Sequence, residues 1–208
     1  MRRQFIRRYH LVLASVYLYN EYRGYRELER LLTAIKAKFP GETQFIADVT
    51  KHTEDEHKHY LMFRHYFESR GEQPIAIGST NGYIDRFVKL IFRKKLDELD
   101  QKEILNNDKR FFRLCRLVMM TEFRGMKQVD SLLRSTVIQQ SDELMRIFRI
   151  IERDEPTHCL PYQRWLQTKG SHEPGLRERL ADWWIHYSLV GITFPMLYIN
   201  IFRQTVAL

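Results

Sequence analysis

Two Glu-x-x-His pairs are the residues of this sequence with the clearest capacity for chemistry. Glu56 and His59 form one pair, and Glu155 and His158 form the other. Residues three apart lie on one face of a helix, so each pair would present a carboxylate and an imidazole to the same point. Carboxylate oxygens and imidazole nitrogens are common ligands of divalent metal ions. The spacing therefore indicates two metal-binding helices.

An internal repeat adds two further acids to these pairs. Glu21 begins the sequence Glu-Tyr-Arg-Gly, and Glu122 begins the matching sequence Glu-Phe-Arg-Gly. Each of these acids precedes one Glu-x-x-His pair and is flanked by apolar residues on its own predicted helix face. Because an isolated carboxylate is costly to bury, Glu21 and Glu122 are predicted to be paired or to bind a cation. Two divalent cations would balance the four glutamates, each pair holding one metal ion while its carboxylate bridges to the other.

The first pair has a competitor, because Glu54 and His57 also stand three residues apart. Helical faces separate the two registers. The face around Glu56 is largely apolar and aromatic, with Phe45, Val49, His52, Phe63 and Tyr66. The face around Glu54 is smaller and more polar, with Thr43, Ala47, Thr50, Leu61 and Arg64. We favour Glu56 and His59 as the ligands, and Glu54 and His57 remain the alternative.

Composition limits the fold that can position these residues. Nine glycines and six prolines among 208 residues are too few for the frequent turns of an all-β fold. An aromatic share of 13% excludes collagen-like and disordered classes. Cys115 and Cys159 alone cannot build a disulfide scaffold or a thiolate-only metal site. We expect an all-α chain with free thiols, located in the cytoplasm.

Breaks in the helical pattern divide the chain into long helices. The strongest breaks are Pro40-Gly41 and the Gly- and Pro-containing segment 70–82. The predicted helices span 3–38, 42–69, 83–98, 102–137, 140–167 and 176–205. Ser141 or Asp142 is a plausible N-cap for the fifth of them.

These helices predict two hairpins, 3–69 and 102–167, joined by a crossover segment at 70–101. Long helices in two antiparallel pairs usually close into a four-helix bundle, here over 1–175. The remaining segment, 176–208, is predicted to be an extra apolar helix that packs on this bundle.

With these motifs, residues 5–167 resemble the ferritin-like di-iron carboxylate family, in which two helices give one Glu each and two others give one Glu-x-x-His each. The resemblance implies a ferritin-like four-helix bundle holding two Fe ions, or one Mn and one Fe, with dioxygen as co-substrate. The ligands it implies are Glu21, Glu56, His59, Glu122, Glu155 and His158.

The resemblance also gives roles to neighbouring residues. Asp55 and Asp154 stand where an Asp of the family orients a histidine ligand, and exposed helix positions are the alternative. His52 lies on the Glu56 face as an extra ligand, a supporting donor or, as we favour, a plain core histidine. Pro156 departs from the family pattern and predicts a kink at the metal site, for which a π-bulge would be a fitting form.

The function implied is an oxidoreductase: an oxygenase or oxidase that oxidises or hydroxylates a small apolar organic substrate. The alternatives are ferroxidase or peroxidase work on iron or peroxide, and hydroxylation of tRNA. Lacking a cysteine-ligated iron site of its own, the enzyme would take electrons from an external reductase or ferredoxin.

Two surfaces suggest further partners. Four arginines near the start of the chain could meet nucleic acid or an anionic membrane surface, although a solvated helix face is the favoured interpretation. The apolar stretch 183–202 is long enough to span a bilayer. Polar interruptions in this stretch, and a mean hydropathy of −0.46 for the whole chain, favour packing on the bundle or in a homodimer. Peripheral membrane contact is the next option.

Overall fold

The computed structural model describes residues 2–79 and 81–196, and the chain is all-α as predicted. The helices are α1 (Arg2–Lys38), α2 (Thr43–Glu68), α3 (Tyr83–Phe92), α4 (Gln101–Leu105), α5 (Asp108–Leu133), α6 (Asp142–Asp154), α7 (Pro156–Thr168) and α8 (Leu176–Met196). Single 3-10 turns lie at Leu96–Glu98 and Ile138–Gln140.

The long helices form two hairpins that pack against each other. A short turn at 39–42 reverses the chain, so α1 packs along α2. In the second hairpin α5 packs along α6 and α7, and α2 contacts both α6 and α7 across the interface between the hairpins. The arrangement places α1, α2, α5 and the α6–α7 unit around one interior.

Two apolar clusters fill this interior at different heights. One cluster contains Leu28, Phe45, Met119 and Tyr162, and the other contains Leu18, Phe63, Val129 and Ile151. Each of the four helical units contributes side chains to both clusters. Along every unit, the predicted metal-binding residues lie between the residues of one cluster and the residues of the other. Burial of these clusters on both sides fixes the height and the facing direction of the polar residues between them.

Capping side chains explain several helix ends. The Ser141 hydroxyl accepts a hydrogen bond from the Leu144 backbone N–H, which makes it the N-cap of α6. Asn107 caps α5 in the same way, and this cap divides the predicted helix 102–137 into α4 and α5. The predicted helix 83–98 ends at Phe92 because Arg93 adopts a left-handed conformation, with φ of 58°.

The second hairpin is interrupted at Pro156, between the predicted ligands. Proline lacks a backbone N–H, so the hydrogen-bonded run of α6 stops at Asp154 and α7 begins at Pro156. Glu155 nevertheless keeps right-handed helical angles, and the His158 N–H bonds to its carbonyl at 2.9 Å. The distortion is therefore a tightened turn with three-residue spacing, whereas a π-bulge would widen the turn.

Two further helices, α3 and α8, lie against the outside of the hairpins. α3 packs on α5 and α8, with Phe87, Leu117 and Ile185 buried between them. The predicted helix 176–205 continues to Met196, and residues 197–205 lie outside the described part of the chain. Among the residues described, no helix has the combination of length and hydropathy that crossing a membrane requires.

Candidate metal centre

The six residues predicted to bind metal lie on four neighbouring helical units. Their positions are Glu21 on α1, Glu56 and His59 on α2, Glu122 on α5, Glu155 at the junction of α6 and α7, and His158 on α7. Glu122 is 15% exposed at its side chain, and the other five are buried. Buried acids on four separate helices all face the same interior.

The structure also separates the two competing registers on α2. Glu56 and His59 face the interior, whereas Glu54 and His57 are exposed. The His57 ring stacks on Tyr25 at 4.5 Å between centroids, on the outer face of α2. Glu54 and His57 therefore lie apart from the buried acids.

The donor atoms fall into two groups that share one residue. His52, Glu56, Glu122 and His158 form the first group, and Glu21, Glu56 and His59 form the second. Within each group, one ligand atom per residue lies within 4.8 Å of all the others. Both groups could hold a metal ion, and Glu56 would touch both ions.

The Nδ1 atoms of the two histidines face these carboxylates without forming hydrogen bonds to them. His59 Nδ1 lies 3.4 Å from Glu21 Oε2, and His158 Nδ1 lies 3.5 Å from Glu56 Oε1 and 3.9 Å from Glu122 Oε2. Among the described residues, neither Nδ1 atom has a hydrogen-bond partner. Buried polar atoms are normally satisfied, so converging donors with open gaps fit a cation placed between them.

The opposite edge of each ligand ring is held by an aspartate of the other hairpin. His59 Nε2 donates to Asp154 Oδ2 at 3.2 Å, and His158 Nε2 donates to Asp55 Oδ2 at 3.4 Å. Because a carboxylate only accepts, Nε2 must carry the hydrogen, so Nδ1 is the nitrogen of each ring that faces the glutamates and binds a metal ion once it carries no proton. Of the two interpretations of these aspartates, the structure favours orientation of the histidines.

One lysine joins the two aspartates. Lys58 Nζ donates to Asp55 Oδ1 at 2.5 Å and to Asp154 Oδ2 at 2.7 Å. Burial opposes the charge of Asp55, but His158, Lys51 and Lys58 lower its pKa far below the usual range. The pKa of Asp154 is lowered as well, by Lys58 and His59 against the effect of burial. Both aspartates therefore stay ionised.

The repeated glycines make room for the carboxylates of the Glu-x-x-His pairs. A Cβ atom on Gly24 would lie 2.6 Å from Glu56 Oε2, which is too close for any real contact. A Cβ atom on Gly125 would lie 3.3 Å from Glu155 Oε1. Each glycine thus lets a glutamate of the partner helix in its own hairpin reach the interior.

Glu155 lies at the edge of the centre. It belongs to neither group of mutually close donors, although it borders the same cavity as the other three glutamates. Its Oε2 atom is buried and has no hydrogen-bond partner among the described residues. The structure thus brings five of the six predicted ligands together and places the sixth beside them with a free carboxylate oxygen.

Burial and repulsion between the carboxylates raise the pKa values of three glutamates of the centre. Burial and the nearby Glu56 carboxylate raise the pKa of Glu21 to about 7. Burial, followed by repulsion from the other glutamates, raises the pKa values of Glu122 and Glu155 well above the usual range. A bound cation would supply the missing positive charge.

Two histidines respond to this environment in opposite ways. Burial lowers the pKa of His158 to about 4, so its ring is neutral and its Nδ1 is able to bind a metal ion. His59 is also buried, yet the Glu21 carboxylate raises its pKa to about 9. His59 therefore holds a proton that a metal ion must displace.

An elongated cavity of about 500 Å³ opens beside the centre. α1 and α5 form its long walls, and all four glutamates border it. Most of the remaining lining is apolar, including Leu28, Val118 and Leu132. Ile84 of α3 and Leu189 of α8 also border it, so the two outer helices contribute to its cover.

His52 lies in the first donor group, at a position where the sequence favoured a plain core histidine and left a ligand as an alternative. Its ring is buried and stacks on His158 with 4.1 Å between centroids. Position 52 lies four residues before Glu56, so the sequence did place it on the correct face. No sequence signal distinguished a histidine packed in the core from one directed at the carboxylates.

The two donor groups therefore fit divalent ions, which would bind to the buried carboxylates and to the Nδ1 atoms that the aspartates leave facing them. Comparisons of the chain with protein-family models, with curated proteins and with solved structures found no match. The geometry of the centre alone therefore supports the functional interpretation.

Proposed function

We propose that the chain is a ferritin-like di-iron, or manganese–iron, carboxylate oxygenase or oxidase that acts on a small apolar organic substrate. One observation carries this proposal: two Glu/His donor groups share Glu56, and an aspartate of the opposite hairpin orients a histidine in each. Each group contains carboxylate and imidazole donors, a mixture that suits iron and manganese.

When bound, the metal ions would supply the redox chemistry of dioxygen activation. Hydroxylation of one C–H bond by dioxygen also consumes two electrons and two protons and releases one water molecule. Cys115 and Cys159 are free and buried, so neither offers an exposed electron-transfer group. The electrons would come from an external reductase or ferredoxin.

The chain's own residues would perform three tasks in this reaction. Glu56 would hold both ions, while Glu21 and Glu122 would each bind on the side that faces the cavity. Asp55 and Asp154 would fix the orientation of the two histidine rings. The apolar clusters above and below the centre would exclude water from it.

The cavity supports an elongated apolar substrate. Its lining on α1 runs from Leu13 to Ala34, with Glu21 near the middle. At a rise of 1.5 Å per residue, this stretch is about 30 Å long. A cavity of about 500 Å³ with a mostly apolar lining along this stretch would accommodate an extended hydrocarbon chain. An apolar chain would thus place an internal carbon near the four glutamates.

The test begins with the metal content of the protein loaded anaerobically with Fe²⁺. We expect about two ions per chain and about one in Glu122→Ala, which loses a carboxylate from one donor group only, with Glu54→Ala as the matched exposed control. Dioxygen uptake by the reduced protein should then increase when long-chain apolar compounds are added and should yield an oxidised product. Wild-type protein without bound metal would refute the proposal.

The same experiment separates the alternative functions. Ferroxidase activity would consume dioxygen without an organic substrate and would accumulate iron beyond two ions per chain. Salt-dependent retention of tRNA, with hydroxylation of the RNA, would identify a tRNA hydroxylase. Either result would replace the small apolar substrate in this proposal.

A further inference from the structure

His52 has no counterpart in the second half of the repeat. Glu56, His59 and Asp55 of α2 match Glu155, His158 and Asp154, but the position of His52 is taken by Ile151. Ile151 is fully buried in an apolar cluster, so packing at this position is satisfied by a hydrocarbon side chain. The imidazole of His52 therefore needs an explanation beyond packing.

The surroundings of the His52 ring direct it at the carboxylates. Its Nε2 atom lies 3.7 Å from Glu56 Oε1 and 3.7 Å from Glu122 Oε1. The ring is 1% exposed, and among the described residues neither of its nitrogens has a hydrogen-bond partner. A buried core histidine normally satisfies at least one nitrogen. Two open nitrogens beside two carboxylates instead match a ligand whose ion belongs between them.

We propose that His52 binds one of the two metal ions directly through Nε2 and makes the two metal positions unequal. This inference rests on the proposed two-metal function. One position would have two imidazoles, His52 and His158, with Glu122 and the shared Glu56. The other would have one imidazole, His59, with Glu21 and the shared Glu56. Imidazole suits iron, and carboxylate suits manganese, so the position with His52 would select Fe²⁺ and the other would accept Mn²⁺.

The decisive variant is His52→Ile, which copies the residue of the second half. His57→Ile is the matched control, because it removes an exposed histidine from the outer face of the same helix. Metal-free protein is titrated anaerobically with Co²⁺, with calorimetry for affinity and visible absorption for coordination. Wild type and His57→Ile should show one tight and one weaker site. His52→Ile should bind the first ion about tenfold more weakly or worse, so that the two sites become similar.

A second readout separates a ligand from a packing residue. Metal-free His52→Ile should melt at or above the wild-type temperature, because it loses two unpaired buried nitrogens. Its gain in melting temperature on adding Co²⁺ should be smaller than that of wild type. Unchanged Co²⁺ affinities in a folded His52→Ile would overturn the inference and make His52 a packing residue. Wild type that takes up no Co²⁺ would instead refute the proposed two-metal function itself.

Wild-type protein gives an answer even if His52→Ile does not fold. Proton NMR of the Co²⁺-loaded protein should show three strongly shifted exchangeable imidazole N–H signals, from His52, His59 and His158. Two such signals would overturn the inference. Loading with equal Fe²⁺ and Mn²⁺ should then give one ion of each per chain, and a random mixture would contradict the proposed selectivity.

Discussion

The two hairpins carry the same kinds of residue at most positions of the centre, and they differ at two positions. In both hairpins a Glu lies on one helix, an Asp and a Glu-x-x-His pair lie on its partner, and a glycine makes room for the second Glu. His52 and Lys58 occur only in the first hairpin, where the second has Ile151 and Thr157.

The two residues without a counterpart, His52 and Lys58, each face residues of both hairpins. Lys58 bonds to an aspartate of each hairpin, and His52 faces Glu56 of its own hairpin and Glu122 of the other. The Thr157 hydroxyl, in contrast, donates to the carbonyl of Asp154, one turn earlier in its own hairpin. The repeat thus supplies a near-symmetric set of ligands, and the first hairpin adds the residues that join the halves.

The largest effect should come from the one residue that both donor groups share. Glu56→Ala removes a carboxylate from each group, so we expect the metal content to fall from about two ions per chain to none. Elemental analysis of protein reconstituted with Fe²⁺ measures this loss. Glu54→Ala is the control on the exposed face of the same helix and should retain both ions. Loss of metal in Glu54→Ala, with retention in Glu56→Ala, would reverse the assignment of the register.

The crossed aspartates test whether the halves are equivalent. Asp55→Asn and Asp154→Asn should each weaken metal binding by about 10–100-fold, because each removes the charge that orients a histidine. Titration with Co²⁺ measures the two affinities, and Asp48→Asn, whose carboxylate accepts a hydrogen bond from Gln44 on the same helix, is the control. If only one of the two substitutions weakened Co²⁺ binding, the two hairpins would not be equivalent in how they orient the histidines.

Substitution of Gly24 and Gly125 tests a difference in packing between the two hairpins. Gly24→Ala forces Glu56 to move, whereas Gly125→Ala meets Glu155 at a distance that a small shift relieves. We expect about a tenfold loss of metal affinity for Gly24→Ala and about threefold or less for Gly125→Ala. Both alanines favour the helix, so the metal-free proteins should not lose helical content in circular dichroism. Equal losses would show that both carboxylates are held with the same tightness.

The smallest effect concerns pH and the metal-free protein. The pKa of Glu21 is raised to about 7 and that of His59 to about 9, so the folded protein binds these protons more tightly than the unfolded chain. Stability from a raised pKa is lost as pH rises through that value, so metal-free protein should be more stable at pH 6.5 than at pH 9 by ~1 kcal/mol or more.

Urea denaturation at the two pH values measures this difference. Glu21→Gln should reduce it, because the amide does not titrate. Metal-bound protein should show the opposite trend, since protons compete with the ions for the same atoms. Greater stability of the metal-free protein at pH 9 would mean that the acids of the centre are already neutralised within the protein.

Much of the fold followed from local signals in the sequence. Pro40-Gly41 marked the first hairpin turn, and Ser141 marked the start of α6. The end of α3 at Arg93 and the division at Asn107 escaped prediction, because a left-handed residue and a cap inside a polar segment look like ordinary helix surface. Helix propensity describes a residue and its nearest neighbours in sequence. It omits the tertiary contacts that decide where such helices end.

The centre shows the same division between local and tertiary information. The apolar stripe around Glu56 was enough to place it in the interior, because periodicity reports which face is buried. The pairing of Asp55 with His158, and of Asp154 with His59, depends on how the hairpins meet, which no spacing encodes. The room that Gly24 makes for Glu56 is likewise a property of two packed helices.

The crossed Asp–His pairs also couple assembly to metal binding. Since the aspartate that orients each histidine belongs to the opposite hairpin, neither hairpin can complete a histidine site alone. Metal affinity and the association of the two halves are then thermodynamically linked, and each should strengthen the other. A chain cut within the connecting segment 70–82 would make this visible as fragment complementation, with two hairpins that hold together in the presence of metal and separate when it is chelated.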